Sequence, residues 1–183
     1  YRKVDAAMHD ERIAKLVRAF MDEDITPYVP APADTDLEEY KQTLVERFGN
    51  RMVSDQVARL CFDGASKFPV YVMPNLEKMI ADDASGKLTD VELKRVAYLF
   101  ATYRHYLKYK VDDNGDAFEV ADPWLTAEDW KLIESDNELD FLGVSAFTST
   151  DLKAAPHFVT LYQKMVEDVK AKGAMKVLEE EIL

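Results

Sequence analysis

Three residues at helical spacing could hold an oxygen-rich ligand: Arg59, Asp63 and Lys67, each four positions from the next. On a continuous α-helix such residues drift only about 40° per step and share one face. Both cations offer several hydrogen-bond donors, and a carboxylate between them could keep both oriented. The opposite stripe, Val53, Val57, Leu60, Cys61 and Ala65, is apolar or small and suits inward packing. Pro69 disfavours helical dihedrals at Phe68, so the segment is predicted to turn near Lys67 and present it at a helix end. The same spacing also describes a solvated ladder of ion pairs, because Arg59 with Asp63 and Asp63 with Lys67 are both favourable intrahelical pairs.

The elements that must carry these residues read as helices. From Asp5 to Met21, Ile13, Leu16, Val17 and Phe20 fall at amphipathic spacing, and the pattern stops at Thr26-Pro27. A proline-rich connection follows to Asp34. Thr35 with Glu38 predicts a capping box opening a helix toward Phe48. Ser54 is the expected cap of the Arg59 helix, and Pro74 suits the first turn of the next. Thr89 with Glu92 predicts a second capping box ahead of a long helix through Val91, Val96, Leu99, Phe100, Tyr103 and Leu107. Thr126 with Asp129 starts another around Trp130 and Ile133; Pro156 begins one through Val169, and Gly173 separates a short last helix. The exception is 110–120, where Asn114-Gly115 between β-formers predicts a small hairpin with a primed two-residue turn. The expected fold class is all-α, a mainly helical bundle with that one hairpin, in a single domain over 1–183.

Composition excludes several functions. The 183 residues carry a net charge of −12, which disfavours binding to nucleic acid or to an anionic membrane. The apolar run Phe68 to Met73 is six residues with a proline, far below the roughly 20 needed to span a bilayer. Six dispersed glycines supply neither a dinucleotide-binding turn nor a P-loop. The acidic loop from Asp112 fails as a calcium loop, because Ala117 stands where glycine is required and Pro123 where the bidentate glutamate belongs. His9, His105 and His157 lack ligand spacing, so no metal is expected. The strip Tyr98, Tyr103, Tyr106, Tyr109 reads as core and interface rather than a base-stacking surface. The single cysteine, Cys61, is expected reduced and packed, consistent with a cytoplasmic protein.

Several separated pieces resemble one family. They are Met21-Asp-Glu-Asp-Ile-Thr-Pro27, Asp36-Leu-Glu-Glu-Tyr-Lys-Gln-Thr-Leu-Val-Glu-Arg-Phe-Gly-Asn50, and Asp55-Gln-Val-Ala-Arg-Leu-Cys-Phe-Asp-Gly-Ala-Ser-Lys-Phe-Pro69, with Pro74 following and a weaker echo at Val111 to Pro123. In order and spacing they resemble the carboxy-terminal half of the long-chain mannitol dehydrogenase family, metal-independent polyol and hexuronate oxidoreductases. The resemblance implies a helical domain like the C-terminal domain of 6-phosphogluconate dehydrogenase. It also implies an amino-terminal NAD-binding Rossmann domain absent from this chain, and a catalytic lysine with asparagine and histidine partners upstream of Tyr1. A chain opening on Tyr inside a helical pattern is then expected to be a domain of a longer enzyme, inactive alone, with no catalytic residue of its own.

By the resemblance, Arg59 and Lys67 fall on the family's two basic positions that hydrogen-bond the distal hydroxyls of the substrate, and Asp63 is at most an orienting group. The implied substrate is a sugar alcohol or ketose, D-mannitol interconverting with D-fructose, and the implied cofactor is NAD. A fructuronate or tagaturonate reductase would turn the same cations on a carboxylate; Arg59 favours the mannitol branch. A free-standing helical interaction module and a homologue that keeps the fold but not the pocket are the other readings. A domain closing over a nucleotide domain should also expose apolar side chains along its first helix and the Arg59 helix.

Overall fold

A computed structural model describes residues 1–30, 32–88 and 90–183, with backbone only for Asp90 and Val91. The chain divides into two units, Tyr1–Cys61 with Leu183, and Phe62–Ile182.

In the first unit the expected long opening helix is two. Helix α1, Val4–Met8, ends at His9, and α2, Glu11–Ala19, restarts because the Asp10 side chain caps it by accepting from the Arg12 N–H at 2.9 Å. A wide π turn, Phe20–Ile25, and a 3-10 turn, Thr26–Tyr28, close this stretch. Helix α3 spans Leu37–Gly49. Its cap is Asp36, accepting from the N–H groups of Glu38 and Glu39, rather than the predicted Thr35. Helix α4 is short, Val57–Cys61; Ser54 lies ahead of it with φ 47 and receives a hydrogen bond from Lys3 Nζ instead of capping.

Among the described residues of this unit, only Asp24 and Lys41 are buried, and no apolar side chain is. Charge does much of the joining. Arg18 bonds Asp22 at 2.6 Å and pairs with Glu38, while Lys41 bonds Asp22 at 2.5 Å and pairs with Glu38. The Asp22 and Glu38 carboxylates hold the Lys41 ammonium above its ordinary pKa. Tyr1, Tyr40, Phe48, Met52 and Val53 are exposed. With Ile25 and Val29, also exposed, these residues lie outside α2 and α4, so the apolar surface expected along the faces of those helices is not found there.

The second unit has a conventional core. Helix α5, Gly64–Lys67, runs through a π turn, Phe68–Val72, into α6, Met73–Ala84. Phe68 keeps helical dihedrals (φ −61, ψ −52), so the turn predicted from Pro69 does not occur. Pro69 stands in the first turn of the wider coil, where its missing N–H removes little. Helix α7, Asp90–Tyr109, packs along α9, Pro156–Lys172. The predicted capping box at Thr89 lies outside the described residues. Phe100 of α7 meets Phe68, Phe147 and Phe158 with ring centroids 5.3, 4.9 and 5.5 Å apart, and Phe141 and Tyr162 extend the cluster. Each fully buried ring contributes roughly 1.5–3 kcal/mol, with edge-to-face geometry adding to it. The Tyr98 hydroxyl donates to the Ala174 carbonyl at 3.0 Å. Helix α8, Ala127–Glu134, carries the predicted Thr126–Asp129 capping box, whose carboxylate also accepts from the N–H and hydroxyl of Ser145. Burial pushes the Asp129 carboxyl up, but these hydrogen bonds outweigh it and leave the group below its ordinary range.

The architecture is all-helical. Among the described residues no β-sheet forms, only isolated bridges, Lys3 with Gln56 and Val111 with Ala117. The predicted hairpin is a loop with one bridge, and its turn is not the primed type. Asp112 N–H donates to the Asp116 carbonyl and Gly115 N–H to the Asp112 carbonyl, with Gly115 left-handed at φ 84 but Asn114 not. Asp113 then reaches helix α10, Ala174–Val177, accepting from the N–H groups of Ala174 at 3.0 Å and Met175 at 2.9 Å. Gly173, at φ 87, allows this approach; a Cβ there would lie 3.2 Å from the Asp113 carboxyl carbon. A π turn, Leu178–Ile182, ends the unit. Asp113→Ala should therefore lower the unfolding free energy by about 1 kcal/mol, read by thermal or urea denaturation, while Asp113→Asn should lose less.

Candidate functional site

Arg59 lies on α4 and Lys67 on α5, so the single helix face expected from their spacing is interrupted. The chain leaves helical geometry at Asp63 (φ −123, ψ 34). A distant group restarts it: the buried Asp122 carboxylate accepts from the Ala65 N–H at 2.8 Å and from the Tyr103 hydroxyl at 3.3 Å. Gly64 makes room, since a Cβ there would come 3.1 Å from that hydroxyl. In the second unit Asp63 and Lys67 pair with each other, both partly exposed.

In the first unit Arg59 pairs with Asp55 through two parallel bonds, Nε to Oδ1 at 2.7 Å and Nη2 to Oδ2. Two-thirds of the Arg59 side chain remains open to solvent. The pair borders a cleft of about 230 Å³ whose polar lining is Asp5, Arg47, Asn50, Asp55 and Arg59, with Phe48, Val53 and Leu60 as apolar edges. Backbone pairing brings its walls together. The Val4 N–H donates to the Asp55 carbonyl at 3.1 Å and the Val57 N–H to the Arg2 carbonyl at 3.0 Å. Arg59 holds the Asp55 carboxyl below its ordinary range, with Arg47 adding to the effect from a distance.

Sequence reasoning did not single out Arg47 or Asp5. Arg47 stands in the motif Glu46-Arg-Phe-Gly-Asn50, but nothing local marks it as facing a cleft. Among the described residues its side chain makes no hydrogen bond or ion pair. Asp5 accepts no hydrogen bond through its side chain, and its Oδ1 is buried. The arrangement suits a small ligand rich in hydroxyls, which donate and accept at once.

The residues present do not form a dinucleotide site. The described chain has no strand feeding a glycine-rich turn and helix, the geometry that lets a pyrophosphate approach backbone N–H groups. Nor does any group of three or more His, Cys, Asp or Glu among the described residues suit a metal ion. No described helix is long and apolar enough to cross a membrane.

The all-helical architecture agrees with the family comparison. Residues 1–170 match the mannitol dehydrogenase C-terminal domain, and the chain belongs to that family. Its relatives include mannitol 2-dehydrogenase of Aspergillus clavatus, 28% identical over 97% of this chain and 34% of the relative. Mannitol dehydrogenase DSF1 of Saccharomyces cerevisiae is 31% identical over 98% and 35%. The solved Pseudomonas fluorescens mannitol 2-dehydrogenase, a ternary complex with NAD and D-mannitol, superposes with a TM-score of 0.85 at 34% identity, covering 98% of this chain and 35% of that one. A substrate-free D-sorbitol dehydrogenase gives 0.84 at 26% identity, covering 97% and 35%. The chain thus spans about a third of the length of the curated relatives it matches.

The sign of the Asp55 effect makes the pair testable. Its folded pKa lies below the unfolded value, so the pair's contribution is present above the ordinary aspartate range and is lost only as pH falls through the depressed folded value. An NMR titration of the Asp55 carboxyl carbon should give a midpoint below 3.8, and Arg59→Ala should return it toward that value.

Proposed function

We propose that the chain is the substrate-binding C-terminal domain of an NAD-dependent polyol dehydrogenase that interconverts D-mannitol and D-fructose. The observation that carries this reading is the whole-chain likeness, at 34% identity, to a mannitol 2-dehydrogenase solved with NAD and D-mannitol. In the longer protein, NAD belongs to a nucleotide-binding domain outside this chain, and the catalytic base lies outside it as well. The exposed apolar side chains Phe48, Met52 and Val53 beside the cleft offer that domain a surface to cover. The role of this chain is to bind and orient the polyol. Arg59 and Lys67 donate hydrogen bonds to its distal hydroxyls, and Asp55 and Asp63, the carboxylates paired with them, fix the direction of each cation. One reduced cysteine and an acidic surface fit a cytoplasmic enzyme of carbohydrate metabolism.

The kinetic test uses the longer protein. Arg59→Ala and Lys67→Ala should each lower kcat/KM for D-mannitol about tenfold to a hundredfold, with the KM for NAD unchanged and melting temperatures close to wild type. Wild-type kinetics in both variants would end the assignment. The 183-residue chain alone should neither bind NAD nor oxidise D-mannitol, as isothermal titration and an NADH absorbance assay would show.

A further inference from the structure

We propose that Arg47 and Asp5 are a second pair of ligand-binding residues, and that together they select a neutral polyhydroxyl ligand over one bearing a carboxylate. The inference rests on the reading that the Arg59 cleft holds the polyol, and it assigns that cleft's specificity. Four charged groups line the cleft, and they are not equivalent. Arg59 and Asp55 satisfy one another through a two-bonded pair. Arg47 and Asp5 face the same small space, yet no ion pair joins them and neither side chain makes a hydrogen bond among the described residues.

A cation in the last turn of α3 is favoured by the helix dipole, which accounts for Arg47 being basic but not for its lack of a partner beside two carboxylates. Asp5 sits in the first turn of α1, yet its Oδ1 is shut away from water with no donor, and a buried acceptor left unmatched is costly. The two carboxylate oxygens exchange by rotation about the Cβ–Cγ bond, a broad torsion. A ligand hydroxyl entering the cleft can thus be met by either.

What would satisfy both groups is chemically restricted. Arg47 needs an acceptor, Asp5 needs a donor, and the ligand between them need carry no charge, since the lining holds two guanidinium groups and two carboxylates. Adjacent hydroxyls on a carbon chain meet all three conditions, because each both donates and accepts. A sugar carboxylate would gain Arg47 but bring its charge against Asp5, where like charges repel. The cleft, at about 230 Å³, is below the roughly 300 Å³ at which pockets for drug-sized ligands begin, which suits a small unbranched molecule.

The test compares Arg47→Gln, Asp5→Asn and Arg59→Ala in the longer protein, with D-mannitol and NAD in one direction and D-fructose or its carboxylate-bearing counterpart D-fructuronate with NADH in the other. Arg47→Gln and Asp5→Asn should each raise the KM for D-mannitol about tenfold to a hundredfold, leaving the KM for NAD as it was. Asp5→Asn should also shift the ratio of kcat/KM for D-fructuronate over D-fructose upward by about tenfold, a change that a purely structural role would not produce. Wild-type KM values in both variants beside an impaired Arg59→Ala would overturn this proposal and leave the polyol reading standing. Wild-type behaviour in all three would remove both. Should Asp5→Asn fail to fold, the exposed Arg47→Gln decides, and a loss there confined to melting temperature counts against the proposal.

Discussion

The burial of Phe100 between α7 and α9 is the constraint on which the second unit rests. Four aromatic rings from separate stretches of chain, Phe68, Phe147, Phe158 and Phe100 itself, converge there. A core this tightly occupied fixes the path of every element that contributes a ring. Phe68 is the member next to Lys67, one residue beyond it. Burying Phe68 holds the α5 segment in place, and the stacked ring of Tyr103, 4.7 Å away, brings the hydroxyl that meets the Asp122 carboxylate. Asp122 in turn receives the Ala65 N–H and starts α5. The position of a surface cation is thus set by packing several contacts away.

The first unit follows different physics. With no buried apolar side chain among its described residues, it relies on directed bonds: the Arg18, Asp22, Glu38 and Lys41 network, the Asp10 and Asp36 caps, and backbone pairing of residues 2–4 with 55–57. Directed bonds give geometry more than free energy, since each contributes little net stability in contact with water.

Much of the helical framework was legible in the sequence because its signals are local. Thr126 with Asp129, Pro156, Gly173 and the long periodic run ending at Tyr109 each act within one or two turns, and each appears as read. Several misreadings share a cause, a competing bond. Asp10 caps a new helix inside an unbroken amphipathic pattern. Asp36 displaces Thr35 one residue earlier. The Asn114-Gly115 turn is reshaped because Asp112 accepts from the Asn114 and Asp116 N–H groups while Asp113 is drawn to α10. The interruption between Arg59 and Lys67 comes from a carboxylate 57 residues away, which no window on the sequence can register. Family resemblance placed Arg59 and Lys67 among the substrate contacts, but the company Arg59 keeps, including Asp5 from far earlier in the chain, needed the pairing of the amino-terminal segment with residues 54–57.

The scarcity of apolar burial in the first unit also shapes its response to its surroundings. Its apolar side chains, Ile13, Leu16, Val17 and Phe20 among them, are only partly buried, so opening this unit brings a smaller heat-capacity change than opening the second unit. Ionic strength is the stronger variable. The Debye length shrinks from about 8 Å at physiological salt to about 3 Å at about 1 M, close to the contact distance of the partly exposed guanidinium and carboxylate pairs that shape this unit, 2.6 Å for Arg18 with Asp22, so those pairs weaken as salt rises. The cleft is accordingly a feature tuned by the electrolyte around it, firm in dilute buffer and looser in brine, while the aromatic core of the second unit, which owes little to charge, stays as it is.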